Sequence, residues 1–413
     1  MPVLKLSEGE AVKLFGPMSV LVKSGCIDVH GKIACAGERF VVHKARNYVA
    51  TATSTCELDV TMVNDSQIQA LDPTDPYPDK RKLALEIVNE GLRRVVVLGC
   101  VDCGKTSFTT MLYNAAIRGG YKPAVIDGDV GQADIGPPGF VSLGYSNTPV
   151  YWINELKPLV MRFVGDIKPQ GHVYTSVSEV SRLAETAENE GFNFLLVDTD
   201  GWVRDEQGIL HKNLLIEVLK PDAVVVLGDD LRGYFKRFTK LGVRVYELKA
   251  PSSRKTRTRE ERRMLRSARY REFLENAPIV RVKMDSVLVD GCNLFYGVEV
   301  DPASLAGLVE GKVVYSSSLP GSLNIYGVVK EYQVEQLKKL GYEKVKVYSQ
   351  GFERGLYCAV GILNGPEYPC IVEKFDFEAR EVVIRTKYTG RVEVLRLSKI
   401  KLTQDFVEEY YEV

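Results

Sequence analysis

The sequence predicts an α/β protein, in which a central domain on a parallel sheet is flanked by small β-rich domains at its N-terminal and C-terminal ends. Three observations predict it. Four continuous apolar runs, "RRVVVLG", "KPAVIDGD", "FNFLLVDTDG" and "DAVVVLG", each end in Gly or Asp and alternate with helical stretches such as "KTSFTTMLYNAAIRGG" and "VSEVSRLAETAENEG". Wholly apolar strands separated by helices suit a parallel sheet covered on both faces. The first run leads directly into "GCVDCGKT", and on both sides of this region the sequence changes to short β-branched pieces.

Taken in order, "SVLVKSGCIDVHG", "RFVVHK" and "CELDVTMV", from Ser19 to about Val63, are punctuated by Gly, Asn and Asp and show no helical period longer than a turn. They read as a small antiparallel β-domain, residues 1–75. "LDPTDPYPDK", Leu71 to Lys80, holds three prolines and reads as a linker. Residues 76–282 form the α/β domain. From about Val287, "VVYSSSL", "GLYCAVGIL" and "EVVIRTKYTGRVEVLRL" return to strands, with one short helical piece near "KEYQVEQLKKLG". Residues 283–413 are therefore a second β-rich domain.

The 413 residues, 45% hydrophobic and 26% charged, suffice for two or three domains and exclude general disorder. Fifty-four basic residues balance 54 acidic ones, so any polyanion must meet a local basic patch. No stretch is long and apolar enough to span a membrane. "MPVLKLSEGE" lacks a secretory pattern and the eight cysteines are scattered, so the expectation is a cytoplasmic protein with free thiols.

"GCVDCGKT" matches G-x-x-x-x-G-K-[ST] after an apolar strand and before a helical pattern, which makes the central domain a P-loop domain. Gly99 and Gly104 let the backbone wrap a phosphate, with successive N–H groups and the helix start facing the anion. Lys105 then reaches the β- and γ-phosphates, and Thr106 supplies a hydroxyl for Mg²⁺. The backbone of Asp102, Cys103 and Ser107 completes the cradle. Cys100 and Cys103 fill variable positions, since a zinc site needs a second ligand pair and none has metal spacing. A disulfide or reactive thiol is the alternative reading of this pair.

The next strand ends "IDGDVGQADIGPPG" and puts Asp127, Asp129 and Gln132 at the carboxyl edge of the sheet, where open α/β sheets bind ligands. A third ends "LLVDTDGW". Asp198 there fits the acid on the metal side, and Gly201 allows close approach to the γ-phosphate. "VVVLGDDLRG" lacks an N-K-x-D base-reading loop, which favours ATP or a nonselective pocket over a GTP switch. The basic patch is Ser253 to Arg271, with nine Lys or Arg and two acids. At 100° per residue Arg259, Arg262, Arg263 and Arg266 share one face and Met264, Leu265 and Ala268 the opposite one. A helix packed on that apolar side would aim four guanidinium groups at transferring phosphates, as an arginine lid.

Together, "GCVDCGKTS", "DGDVGQADIGPPG", "FVGDIKPQGH", "VDTDGW" and "TREERRMLRSARYREF" resemble the RNA 5′-hydroxyl polynucleotide kinases related to the kinase subunit of the pre-mRNA cleavage factor, the archaeal branch above all. The resemblance implies three domains and transfer of the ATP γ-phosphate to the 5′-hydroxyl of RNA, in some members DNA, on single-stranded or overhanging ends. It implies that Lys105 binds phosphates, Thr106, Asp129 and Asp198 serve the metal, and Asp129 activates the hydroxyl. By the same resemblance Gln132 positions the metal or its water, Trp202 stacks on a terminal base, and Arg262 and Arg266 act from the lid beside Arg259 and Arg263. The substrate clasp corresponds to Phe163–His172. Relatives often carry hydroxylated residues where this chain has Ile167 and Lys168, so Lys168 and His172 are the groups expected to meet a substrate phosphate. Trp152 and Tyr270 are expected in the core, and Lys44 is a candidate for the base pocket. Two other functions compete with the kinase: an ATP-binding scaffold of an RNA-processing complex, and an ATPase switch.

Overall fold

The computed structural model describes residues 3–63, 65–228, 230–251 and 257–411. It divides into two compact units. The first comprises Met1–Gly136, Phe140–Val164 and Lys168–Arg262, the second Pro137–Gly139, Gly165–Ile167 and Arg263–Val413.

The first unit opens with nine strands in two antiparallel sheets. One has the order Val3–Leu6, Cys56–Met62, Met18–Ser24, Arg39–Val42, and the other Lys32–Cys35, Cys26–Val29, Asn47–Ala52, Ala11–Phe15, Gln67–Ala70. Met18–Ser24 and Cys56–Met62 bury alternate residues over their first five positions, as one-sided strands do. The proline-rich linker is shorter than the sequence suggests, because a helix already begins at Tyr77 and runs to Asn89. Pro76 precedes it and Pro78 lies in its first turn, where a missing N–H costs no hydrogen bond.

The seven-stranded central sheet has the order Lys157–Phe163, Phe140–Tyr145, Pro123–Gly128, Phe194–Thr199, Arg94–Gly99, Ala223–Leu227, Arg244–Leu248. Its five strands from Pro123–Gly128 onward are parallel, and the pairings of Phe140–Tyr145 with both neighbours are antiparallel. That antiparallel margin and the Arg244–Leu248 strand had no clear sequence signal. Alternate residues of each strand enter different cores. Val95, Val97, Val125 and Val225 pack with the helices Tyr77–Asn89 and Lys105–Arg118, whereas Val96, Ala124, Val224 and Val226 pack with Val173–Asn189 and Glu206–Leu219. Both faces are covered, so the strands can be apolar throughout.

The second unit holds a seven-stranded sheet with the path Ile279–Lys283, Glu381–Thr386, Glu367–Asp376, Leu356–Gly361, Val394–Leu402, Leu288–Asp290, and Glu408–Tyr410 paired to Val394–Leu402. Four further strands, Val298–Glu299, Val309–Leu319, Ser322–Tyr332 and Lys344–Ser349, form a smaller sheet with the short helix Val334–Lys339. Among the described residues no helix is long and apolar enough to cross a membrane.

The expectation of free thiols is corrected. Cys26–Cys35, Cys100–Cys103 and Cys358–Cys370 are disulfides, and Cys56 and Cys292 are unpaired. Two of these bridges join residues directly opposite on neighbouring strands, a register that spacing along the chain does not reveal.

Candidate active site

The central motif forms a strand, a tight loop and a helix. Gly99 ends its strand at φ 151°, and a Cβ there would lie 2.2 Å from the Leu227 carbonyl oxygen of the next strand. Asp102 and Gly104 take left-handed backbone at φ 57° and 86°, which Asp tolerates better than most side chains. No side chain caps the helix Lys105–Arg118, so its first N–H groups, Thr106 and Ser107 among them, are available to an anion. Lys105 is 8% exposed and its Nζ donates to the Cys100 carbonyl at 2.9 Å. Burial lowers its pKa against the pull of Asp198, Asp129 and Asp200. The cysteine pair lies behind the loop: a Cβ on Gly228 would meet both sulfurs, at 3.0 and 3.5 Å. Cys103 is fully buried, so only its backbone can serve a nucleotide.

Two D-x-D strand ends stand side by side at this edge, with Asp127 paired to Asp198 in register. Asp127 shapes its own loop, accepting from the backbone N–H groups of Asp129 at 3.2 Å, Asp134 at 2.6 Å and Ile135 at 2.9 Å. Asp129 accepts at Oδ1 from Gly131 and Gln132, at 3.0 and 2.9 Å. Burial, and then Asp200, raise the Asp129 pKa against Lys105, which favours a carboxylate that takes up a proton readily. The Gln132 amide turns back onto the Gly131 carbonyl at 2.7 Å.

On the neighbouring strand, burial pushes Asp198 up to about 7, opposed by Lys105 and by a hydrogen bond from Thr106. Its Oδ1 is buried with no hydrogen-bond partner. Asp200, which sequence reasoning passed over, accepts from Lys212 Nζ at 2.6 Å and from the Trp202 N–H at 2.8 Å. Burial works to raise its pKa, but Lys212 and His211 hold it below the usual range. The repeated D-x-D was the available signal for Asp200, whereas nothing marked Lys212. Gly201 is required by contact, because a Cβ there would lie 2.5–2.8 Å from Val101 of the P-loop, its backbone included. Trp202 is half-buried. Its Nε1 donates to Asp205 at 2.7 Å, Asp205 also caps the helix Glu206–Leu219, and the indole lies 5.8 Å from the His211 ring.

His172 immediately precedes the helix Val173–Asn189, to which it gives no side-chain cap, and Lys168 is exposed in the preceding loop. Trp152 and Tyr270 are buried, at 7% and 0% exposure. Lys44 is exposed.

The arginine helix runs from Arg259 to Leu274, and residues 252–256 of the basic run lie outside the described residues. Its packed side is not the one expected. Met264 is 59% exposed and Ala268 is exposed, while Tyr270 and Leu274 are buried. Arg262, Arg266, Tyr270 and Leu274 recur every four residues, so two arginines lie on the packed stripe because acids receive them. Arg262 Nη2 donates to Asp102 Oδ2 at 3.1 Å, and the Arg257 N–H reaches the same oxygen at 3.3 Å. The Arg257 guanidinium also holds the Ala45 carbonyl. Arg266 forms a two-pronged ion pair with Glu408, whose backbone oxygen accepts from Arg263 at 3.1 Å. Arg259 is exposed. The structure thus gathers Lys105, Thr106, Asp129, Asp198 and, through Asp102, Arg262 around the P-loop, whereas Arg263 and Arg266 engage Glu408.

Among the described residues no three His, Cys, Asp or Glu side chains form a metal cage. The Thr106–Asp198 pair with its unpartnered buried oxygen instead fits Mg²⁺, an ion usually held by one or two protein groups, water and substrate phosphates.

Residues 99–276 match the family described as mRNA cleavage and polyadenylation factor CLP1 P-loop. The polyribonucleotide 5′-hydroxyl-kinase of Methanocaldococcus jannaschii is 28% identical over 83% of this chain and 96% of its own length. Its namesake in Pyrococcus furiosus is 29% identical over 80% and 92%. Human Clp1, also named a polyribonucleotide 5′-hydroxyl-kinase, is 30% identical over 44% of each chain. A structure of the Clp1p–Pcf11p complex superposes with a TM-score of 0.67 at 14% identity, covering 97% of each chain, which establishes the shared fold. With the motif and the two acidic strand ends in one order along the chain, residues 99–276 match the CLP1 P-loop family, and most of the chain is similar to archaeal polyribonucleotide 5′-hydroxyl-kinases.

Proposed function

We propose that this protein is an ATP-dependent kinase that moves the γ-phosphate of ATP to the 5′-hydroxyl of RNA. The observation that carries the assignment is the placement of Asp129 beside the P-loop, half-buried in the field of Lys105, with its pKa raised by burial and Asp200. In the reaction Lys105 leaves the Cys100 carbonyl for β- and γ-phosphate oxygens. Asp129 takes the proton of the 5′-hydroxyl as its oxygen bonds to phosphorus, the bond from γ-phosphorus to the bridging oxygen breaks, and ADP departs. Thr106 and Asp198 would hold Mg²⁺, which when bound would supply charge neutralisation to the nucleotide phosphates. Arg262, next to the loop, stabilises charge on the moving group.

Trp202 offers a stacking face for a terminal base, which tolerates any sequence and suits single-stranded or overhanging ends. Lys168 and His172 serve the substrate strand, with Gln132 near the reacting oxygens. By the same reading Arg259, Arg263 and Arg266 serve the substrate and the moving group beside Arg262. The division into 1–75, 76–282 and 283–413 accompanies this reading, supported by the change from antiparallel to parallel pairing at Arg94–Gly99. A partner in an RNA-processing complex is suggested by the related Clp1p, solved with Pcf11p.

Incubation with γ-labelled ATP, Mg²⁺ and a short 5′-hydroxyl RNA tests the proposal. Label on the RNA is expected. ATP binding without transfer would make the protein a scaffold, and hydrolysis without RNA an ATPase switch.

A further inference from the structure

The helix Tyr77–Asn89 carries a lysine that none of these roles uses. Lys80 is 3% exposed, and no described residue accepts a hydrogen bond from its Nζ. The titratable groups facing it are Asp75 from the segment before the helix, Lys13 from the Ala11–Phe15 strand, and His30, which burial lowers to about 4 and so keeps neutral. Asp75 is engaged by Lys13 at 3.2 Å and by the Tyr77 N–H at 3.0 Å. Burial outweighs Asp75 and brings the Lys80 pKa down to about 8.

Its position is as unusual as its burial. Lys80 Nζ lies 2.6 Å from where a Cβ on Gly104 would be, so the ammonium rests against the backbone that opens the Lys105–Arg118 helix. That helix start has no side-chain cap. An ammonium without an acceptor, set against the positive end of a helix, is unfavourable for both. One anion would satisfy the two together. Lys105 does not fill this role, since it lies among Asp198, Asp129 and Asp200 with its Nζ on the Cys100 carbonyl.

We propose that Lys80 is a second phosphate-binding lysine of the loop, donating to a phosphate oxygen of the bound nucleotide. The proposal rests on the nucleotide-binding part of the reading above. The same oxyanion chemistry could come from an RNA phosphate. The nucleotide is the source here because Gly104 belongs to the P-loop.

Calorimetric titration of the full chain with Mg·ATP and no RNA tests it, using Lys80→Met and Lys80→Gln. The ATP Kd should rise about 10- to 100-fold, as for loss of a hydrogen bond to a charged group. The ligand-free protein should melt at the same temperature or higher, because a lone buried charge is gone. A phosphate partner keeps Lys80 protonated, so wild-type affinity should be full below about pH 8 and weaken above it. In both variants the fall centred near pH 8 should be absent, whatever dependence Lys105 contributes remaining. An unchanged ATP Kd in both variants overturns the proposal, and a lowered melting temperature beside it would make Lys80 a packing residue. In a separate titration with a short 5′-hydroxyl RNA and no ATP, weakened RNA binding beside an unchanged ATP Kd would assign the anion to RNA and overturn the nucleotide source. Because RNA is absent from the ATP titration, a protein that shows the Lys80 effect but never labels RNA would uphold this site and sink the kinase reading.

Discussion

The strand ends Asp127-Gly-Asp129 and Asp198-Thr-Asp200 have the same spacing and lie in register, yet their acids exchange roles. In the first, the leading Asp127 is consumed by three backbone N–H groups and the trailing Asp129 is the one coupled to Lys105. In the second, the leading Asp198 faces Thr106 and keeps a buried oxygen without a partner, while the trailing Asp200 is neutralised by Lys212. What a carboxylate can do is set by which donors reach it first. Identical spelling therefore gives two scaffolding acids and two chemical ones.

Single substitutions break or sharpen this contrast. Asp129→Asn should lower kcat by about 10²–10⁴ with ATP affinity nearly unchanged, the scale of lost general-base help; equal damage from Asp127→Asn in the same assay would remove the distinction. Asp200→Asn leaves Lys212 buried without its counter-charge and should cost about 3–5 kcal/mol of stability. Denaturant melts would show this, and an unchanged midpoint would mean that Lys212 finds another acceptor. For Asp198→Asn the expected sign is a Mg²⁺ requirement raised by about 10- to 100-fold, read from the Mg²⁺ concentration at half-maximal rate; an unaltered Mg²⁺ dependence would move the metal to another acid. The smallest effect belongs to Asp127→Asn, which keeps shape but turns one accepting oxygen into a donor. It should cost about 1–3 kcal/mol of stability while the folded fraction turns over at near the wild-type rate.

The sequence displayed what depends on neighbours along the chain. The P-loop was legible because eight consecutive residues encode it, and the parallel sheet because continuous apolar runs have few other uses. Long-range partners were not legible. Periodicity marked Met264 and Ala268 as the packed face of the arginine helix, but Glu408, some 140 residues away, draws Arg266 inward. Cysteines opposite each other across strands look scattered in one dimension. Lys80 reads as a surface lysine in a charged stretch, and only its burial against Gly104 sets it apart.

The fit of Gly201 against Val101 carries a consequence for how the two substrates cooperate. There is no room for a methyl group between the loop bearing Trp202 and the P-loop, so neither can be displaced without pressing on the other. A base stacked on Trp202, as proposed above, and a phosphate in the P-loop would each restrain one side of that contact. Under that proposal, whichever ligand arrived first would spare the second part of the entropy of ordering, and by reciprocity the gain in affinity would be the same in either order.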